Sequence, residues 1–319
     1  MSIVTLSLEV ELGWGVHDID EYERISTDRE RESRYLRRLL SHCDDVGVPF
    51  SFDVVGHLFH AACSGDHGSP HDEGWFGDDP GTDWQTDPLF YAPDLVADIR
   101  DAETDHEICT HSYSHVSCDE ADDETIRWDL EEAQEVHQHV LGERTVSFVP
   151  PKHEQPPTHV LRDAGIEIIR MHRPDGVSKP RKFKRLVTGP HPEFSPAVTM
   201  EDDVVVTYCT EYPSLTSALL PSGRRETHPA FRYLPLDNGT RRRLHRQYLR
   251  DAAEQALEND TPVHLWAHLY DLANEQQFLA LRDFLTDLAA LEAQTDLEVM
   301  TMAELNDRVR AEERAHVVV

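Results

Sequence analysis

Strand-like and helix-like segments alternate along this chain almost from end to end, and that alternation limits the fold more than any single residue does. Short apolar runs, separated by stretches whose apolar residues recur at helical spacing, are the pattern of a parallel sheet with helical crossovers. A first strand is expected at 2–11, a helix at 27–46 striped by Tyr35, Leu36, Leu39, Leu40 and Cys43, and a strand at 49–55. A helix opened by Pro93 and Asp94 leads to a strand at 106–110. Then come a helix at 123–141, a strand at 145–149, a short helix at 156–165 ending on Gly165, and a strand at 166–170. Between 171 and 235 the pattern is weakest, with only 204–208 strand-like among Pro-rich loops. A helix at 238–258, a strand at 262–268, a helix at 273–292, a strand at 296–301 and a C-terminal helix complete the chain. Seven or eight strand–helix units suit either an irregular (β/α) barrel or a doubly wound open sheet. In both, functional side chains gather at the C-terminal ends of the strands.

With 319 residues, 39% of them hydrophobic, the chain can bury one sizeable core, and no linker divides it. A single domain over 1–319 is expected. Its one irregular stretch is 63–92, rich in Gly, Asp, Pro and Trp and without periodicity, which reads as a long loop insertion of the kind that often serves as a lid. The charge balance is extreme: 61 acidic against 30 basic residues gives −31, and only Lys152, Lys179, Lys182 and Lys184 are lysines. Dense carboxylates with lysine nearly replaced by arginine point to adaptation to high salt. They also argue against nucleic-acid binding, which needs clustered cations; Arg241–Arg243 reads as a solvated helix face. No secretory signal and no run of about 18 apolar residues is visible, so a cytoplasmic protein without a membrane span is expected. Five cysteines without a C-x-x-C fit reduced thiols; Cys109 and Cys118 read as small buried residues.

Two short stretches carry chemistry. In His111-Ser112-Tyr113-Ser114-His115, two imidazoles four apart can close on one metal ion, from a helical turn or a tight loop. Among 20 histidines such a pair also arises by accident, so a second signal is needed. It is Glu9-Val10-Glu11, where an apolar strand runs into two acids at i and i+2, on one side of the strand. One acid can ligate a metal while its neighbour handles protons.

These motifs resemble the polysaccharide deacetylase family, carbohydrate esterase family four. The Glu9–Glu11 pair stands where that family has an Asp-x-Asp or Asp-Asp signature, and His111 to His115 stands at its His-x-x-x-His. The stretch Ser147-Phe148-Val149-Pro150-Pro151-Lys152-His153 matches the proline loop, and Val263-His264-Leu265-Trp266-Ala267-His268 the late Leu-x-x-His. The resemblance implies an irregular (β/α)7-type barrel and the hydrolysis of an N-acetyl amide on an amino sugar, glycan or glycan precursor. Glu11, His111 and His115 would ligate a divalent metal, zinc foremost, though the mixed N/O set also suits cobalt, nickel, manganese or iron. Glu9 would be the general base and His268 the general acid, the Leu265 spacing selecting His268 over His264. Trp14, Pro151, Lys152, His153, His264 and Trp266 are expected to line or support the substrate site. Two departures stand out: Glu9 replaces the usual Asp, and Val149 aligns with the family's base-orienting Arg, whose charge Lys152 could supply from three residues later. The expected partner is an N-acetylated carbohydrate or other small amide, with the oligomeric state open. Two rival readings are a C–N hydrolase acting on a small non-sugar amide or imide, and a non-catalytic glycan-binding member of the fold.

Overall fold

The computed structural model describes residues 1–17, 19, 21–172, 197–210 and 214–317. Much of the weakly patterned stretch 171–235, with Lys179, Lys182 and Lys184, therefore lies outside the described residues. Among the described residues nine strands make one sheet: β1 Ile3–Val10, β2 Ser51–Val54, β3 Glu107–Thr110, β4 Ser147–Phe148, β5 Ile168–Met171, β6 Val198–Glu201, β7 Val204–Tyr208, β8 Val263–His268 and β9 Glu298–Met300. Their order is β6-β7-β5-β4-β3-β2-β1-β8, with β9 also on β1. Every pairing is parallel except β6 with β7. The two ends of the sheet meet where Cys209 bridges to His264, the Thr210 amide donating to the His264 carbonyl at 2.8 Å. That contact curls the sheet into an irregular barrel and sets the open doubly wound sheet aside.

Alternation along β1 explains the two sides of the wall. Val4, Leu6, Leu8 and Val10 point outward into a core shared with Leu36, Leu39, Phe52 and Val54, each fully buried aliphatic or aromatic side chain contributing about 1.5–3 kcal/mol. Ile3 instead faces inward, with Cys109, Val149, Ile168 and Val205, and the barrel floor is closed by Met302 and Leu305 of the C-terminal helix. Above that floor the same inward column continues with Ser7 and Glu9, so the interior changes from apolar to charged toward the strand ends.

The helices mostly follow their sequence signals. α1 spans Glu30–Val46 and stops at Gly47, whose φ of +72° is the left-handed conformation that ends helices. It starts three residues later than its apolar stripe predicts because Arg29 is itself left-handed and pairs with Asp94 at 2.7 Å. α2 (Pro93–Arg100) begins on its proline, and α3 (Asp123–Leu141) is capped by the Asp122 carboxylate accepting from the Thr125 amide. Strand β6 was not expected. It folds back on β7 through Asp202 and Asp203, both left-handed, a two-residue hairpin turn whose half-buried strand lacks a strong apolar signal. No helix among the described residues is long and apolar enough to cross a membrane.

Candidate metal centre and active site

Register builds the centre of the site. Across the sheet Glu9 stands opposite Asp53 on β2 and His268 on β8, so three titratable side chains share one row at the mouth of the barrel. Glu11 follows just beyond the strand end and turns back over this row. A Cβ at Gly15 would run into the Glu11 side chain, so the turn after β1 needs a glycine there. His111 follows β3, and its Nδ1–H donates to the Val149 carbonyl at 2.7 Å. This fixes the ring so that Nε2 faces Glu11 Oε1 at 3.1 Å. His115 Nε2 lies 3.5 Å from the same oxygen.

The two histidines come from a tight loop rather than a helical turn, with Ser112 and His115 at φ of +61° and +62°. Asp129 of α3, fully buried, holds that loop: its carboxylate accepts from the amides of Tyr113 and Ser114 at 2.6 and 3.2 Å and from the Ser114 hydroxyl, and lies 3.0 Å from His71 Nε2. Trp75 donates its indole N–H to Ser114 Oγ at 2.8 Å, so the 63–92 insertion packs directly on the histidine loop.

Ligand atoms of Glu11, His111 and His115 lie within 4.8 Å of one another. One carboxylate and two imidazoles, one of them oriented by a backbone carbonyl, fit a divalent cation with coordination positions to spare. Beside them His268 Nε2 is 2.8 Å from Glu9 Oε2 and 3.9 Å from Glu11 Oε1, and its Nδ1 is 3.5 Å from Asp271 Oδ2. Burial alone would discharge this imidazole, but the carboxylates of Glu9, Glu11 and Asp271 raise its pKa well above the ordinary value. Burial likewise opposes charge on Glu9 and Glu11, yet His268 and Arg170 hold Glu9 well below the usual carboxylate range, and His268, His111 and His115 do the same for Glu11.

Arg170 and Asp53 are the residues that sequence reasoning missed. Arg170 on β5 is fully buried and donates to Ser7 Oγ at 2.6 Å, to Asp53 Oδ2 at 3.1 Å and to Glu9. It corrects the expectation that Lys152 replaces the absent base-orienting Arg: the cation on Glu9 comes from β5, while Lys152 is exposed at the cavity rim. One guanidinium serves two carboxylates, and they divide. Burial pushes Asp53 up to about 8 against the pull of Arg170, with the Glu9 charge adding to the rise, so the pair keeps one charge on Glu9. A signal existed in Ile168-Ile169-Arg170-Met171 and Phe52-Asp53-Val54, where a charge inside a buried strand must find a partner.

A cavity of about 260 Å³ opens above this row, lined among others by Glu9, Glu11, His115, Lys152, His153, Trp266, His268 and Tyr270. Trp266 donates its N–H to the Thr210 carbonyl at 2.9 Å and lies under the Arg170 guanidinium, 4.8 Å away. His153 packs on His172 with ring centroids 3.5 Å apart; burial, then Arg170, pushes its pKa well down. It stands in a separate group with His172 and Cys209, apart from the Glu11 trio. Three expected residues sit behind the cavity rather than on it. Trp14 is buried against His57, Phe76 and Phe90; Pro151 is buried at the start of its loop; His264 lies lower in the barrel, 2.9 Å from Ser7 Oγ and 3.3 Å from Thr207 Oγ1.

Residues 30–169 match the family described as polysaccharide deacetylase. The matched segment spans less than half of the chain. Glu9, Glu11 and His268 fall outside the matched segment, while His111 and His115 fall inside it. Solved structures share the barrel: a Mycobacterium smegmatis protein assigned to the polysaccharide deacetylases (17% identity, TM-score 0.60) covers 98% of this chain with 91% of its own. A Pseudomonas aeruginosa PAO1 protein of the same assignment (16%, 0.57) covers 96% with 89%, and Puue allantoinase (14%, 0.59) covers 97% with 90%. At these identities the likeness is one of fold. No curated protein matches the chain in sequence.

Proposed function

We propose that this chain is a member of the polysaccharide deacetylase family and a divalent-metal-dependent N-deacetylase of an amino sugar or glycan precursor, a hydrolase acting on C–N bonds, working in the cytoplasm as one domain over 1–319, with zinc as its cation. The observation that carries this reading is the 2.8 Å contact between Glu9 and His268 beside the Glu11, His111 and His115 trio, at the floor of a cavity. Glu11, His111 and His115 would hold the cation, which would supply Lewis acidity toward the acyl carbonyl. Glu9, kept ionised by Arg170, accepts a proton from the attacking water. His268, kept protonated by its three carboxylates, donates one to the leaving nitrogen. Their direct contact lets the proton gained at Glu9 replace the one His268 gives up. Trp266 and Tyr270 offer flat apolar faces to a sugar ring. The acidic surface, at −31, supports a working environment of high salt.

A second reading keeps the chemistry and changes the substrate. The cavity has room for about one ring, which also suits a small cyclic amide or imide, and the barrel is shared with Puue allantoinase. Purified protein in high salt should release acetate from N-acetylated amino sugars and stop when a chelator strips its metal. Ring opening of small imides without acetate release would select the second reading. A protein indifferent to chelator toward both substrate classes would sink them together.

A further inference from the structure

A second cluster of His, Cys and Asp side chains lies outside the cavity, at the root of the 63–92 insertion. His57 stands in the turn after β2, and Cys63, His67 and Asp79 come from the insertion itself; their ligand atoms lie within 4.8 Å of one another. His67 Nε2 is 2.7 Å and His57 Nε2 3.4 Å from one oxygen, Asp79 Oδ2, and Cys63 Sγ is 3.8 Å from His67 Nε2. Four donors around one zinc at bond lengths of about 2.0–2.3 Å stand about 3.3–3.8 Å apart, so the cluster needs only small shifts to close.

The surroundings match those of ligands rather than of a self-contained hydrogen-bond hub. The His57 Nδ1–H donates to the Phe90 carbonyl at 3.1 Å, which directs Nε2 inward. That Nε2 is fully buried and makes no hydrogen bond. The other carboxylate oxygen, Asp79 Oδ1, is occupied by the Tyr91 hydroxyl and the Gly81 amide, leaving Oδ2 to the cluster. The Gly65 amide points at Cys63 Sγ from 3.4 Å. Orienting partners of this kind are what metal ligands carry. One thiolate and one carboxylate would also neutralise a divalent ion in a place with little water, the Cys63 proton leaving to solvent on binding.

We propose that His57, Cys63, His67 and Asp79 form a second, structural metal site, zinc by its donor set, that fastens the 63–92 insertion over the histidine loop. All four positions are filled by protein, which leaves no place for substrate. The insertion has use for it: Phe76, Phe90 and Tyr91 anchor it in the core, but it has no periodic apolar face, and Trp75 and His71 must be held against Ser114 and Asp129.

The proposal does not rest on the catalytic reading, because the two sites differ in sulfur. Elemental analysis of the full chain, purified and dialysed with zinc, should find about two equivalents, falling to about one in Cys63→Ser, about one in His115→Ala and none in the double variant. Cobalt(II) loaded into His115→Ala should show an intense near-ultraviolet thiolate-to-cobalt band, absent when Cys63→Ser is added. Should Cys63→Ser not fold, the band in His115→Ala alone decides. A single equivalent in the parent protein that vanishes in His115→Ala, two equivalents retained by Cys63→Ser, or cobalt without the thiolate band would each overturn the second site.

Discussion

The two candidate groups of metal ligands are held in opposite ways. Glu11, His111 and His115 hang from the ends of sheet strands, beside a cavity, with the Glu9–His268 pair next door. His57, Cys63, His67 and Asp79 hang from irregular chain, away from the cavity, with every ligand position supplied from within. In the first, the sheet fixes the ligands and any cation is free to do chemistry. In the second, the ligands would be fixed by the cation. Removing the ion should therefore leave the first group in place and scatter the second.

The sharpest break between them is in turnover. Glu9→Gln should keep its metal content and lower kcat by about 100-fold to 10,000-fold, the span of general base losses, whereas Glu11→Gln should lose metal and activity together. Metal analysis alongside initial rates separates the two, and normal turnover of Glu9→Gln would place the base elsewhere.

Next in size is the barrel interior that supports the strand-end group. Arg170→Met leaves Glu9 and Asp53 without their cation and should cost about 3–5 kcal/mol by denaturant unfolding, as loss of one partner from a buried ion pair does. Lys152→Met, at the exposed rim, should stay within about 0.5 kcal/mol. Equal losses would mean that the interior charges are better solvated than their burial indicates.

Chelation should act on the loop side. If the insertion is fastened by a metal at about 100 times its Kd, stripping it should raise local opening roughly 100-fold, read as faster limited proteolysis within 63–92. His115→Ala should keep the insertion protected. Cleavage that ignores the chelator would remove the contrast.

Acid acts through a single buried imidazole, and within one pH unit its effect is the smallest of these. His137 of α3, packed at a tilt against Phe59 at the approach to the insertion, is held neutral by burial, its pKa down to about 3. Above about pH 6.5 the ring is neutral folded and unfolded, and its titration adds nothing. Below that the unfolded chain takes up a proton that the folded chain refuses, so stability falls by about 1.4 kcal/mol per pH unit until pH approaches about 3. His137→Phe should flatten this limb of a Tm-against-pH curve; an unchanged slope would show that other groups govern it.

The same contrast explains what the sequence disclosed. That Glu9, Glu11, His111, His115 and His268 would gather was legible for different reasons: the two glutamates from a period-two strand ending in acids, the histidine pair from its spacing, and His268 from the family resemblance. Arg170 and Asp53 carried a readable sign, a charge within an apolar strand, but their pairing depends on register between β1, β2 and β5, which no local spacing encodes. His57, Cys63, His67 and Asp79 are spread irregularly over the turn and the insertion, where no period exists to predict which side chains converge. The hairpin partner β6 escaped for a milder reason, its half-buried face lacking apolar contrast.

Asp129 joins what the chain separates. Its two oxygens gather the histidine-loop amides of Tyr113 and Ser114, the Ser114 hydroxyl and His71 of the insertion, so helix, loop and insertion are tied to a single carboxylate. Segments bound through one node tend to open as a single cooperative unit. In hydrogen exchange the amides of Tyr113 and Ser114 should therefore exchange at the pace of α3 rather than at that of a surface loop, and Asp129→Asn should release them together.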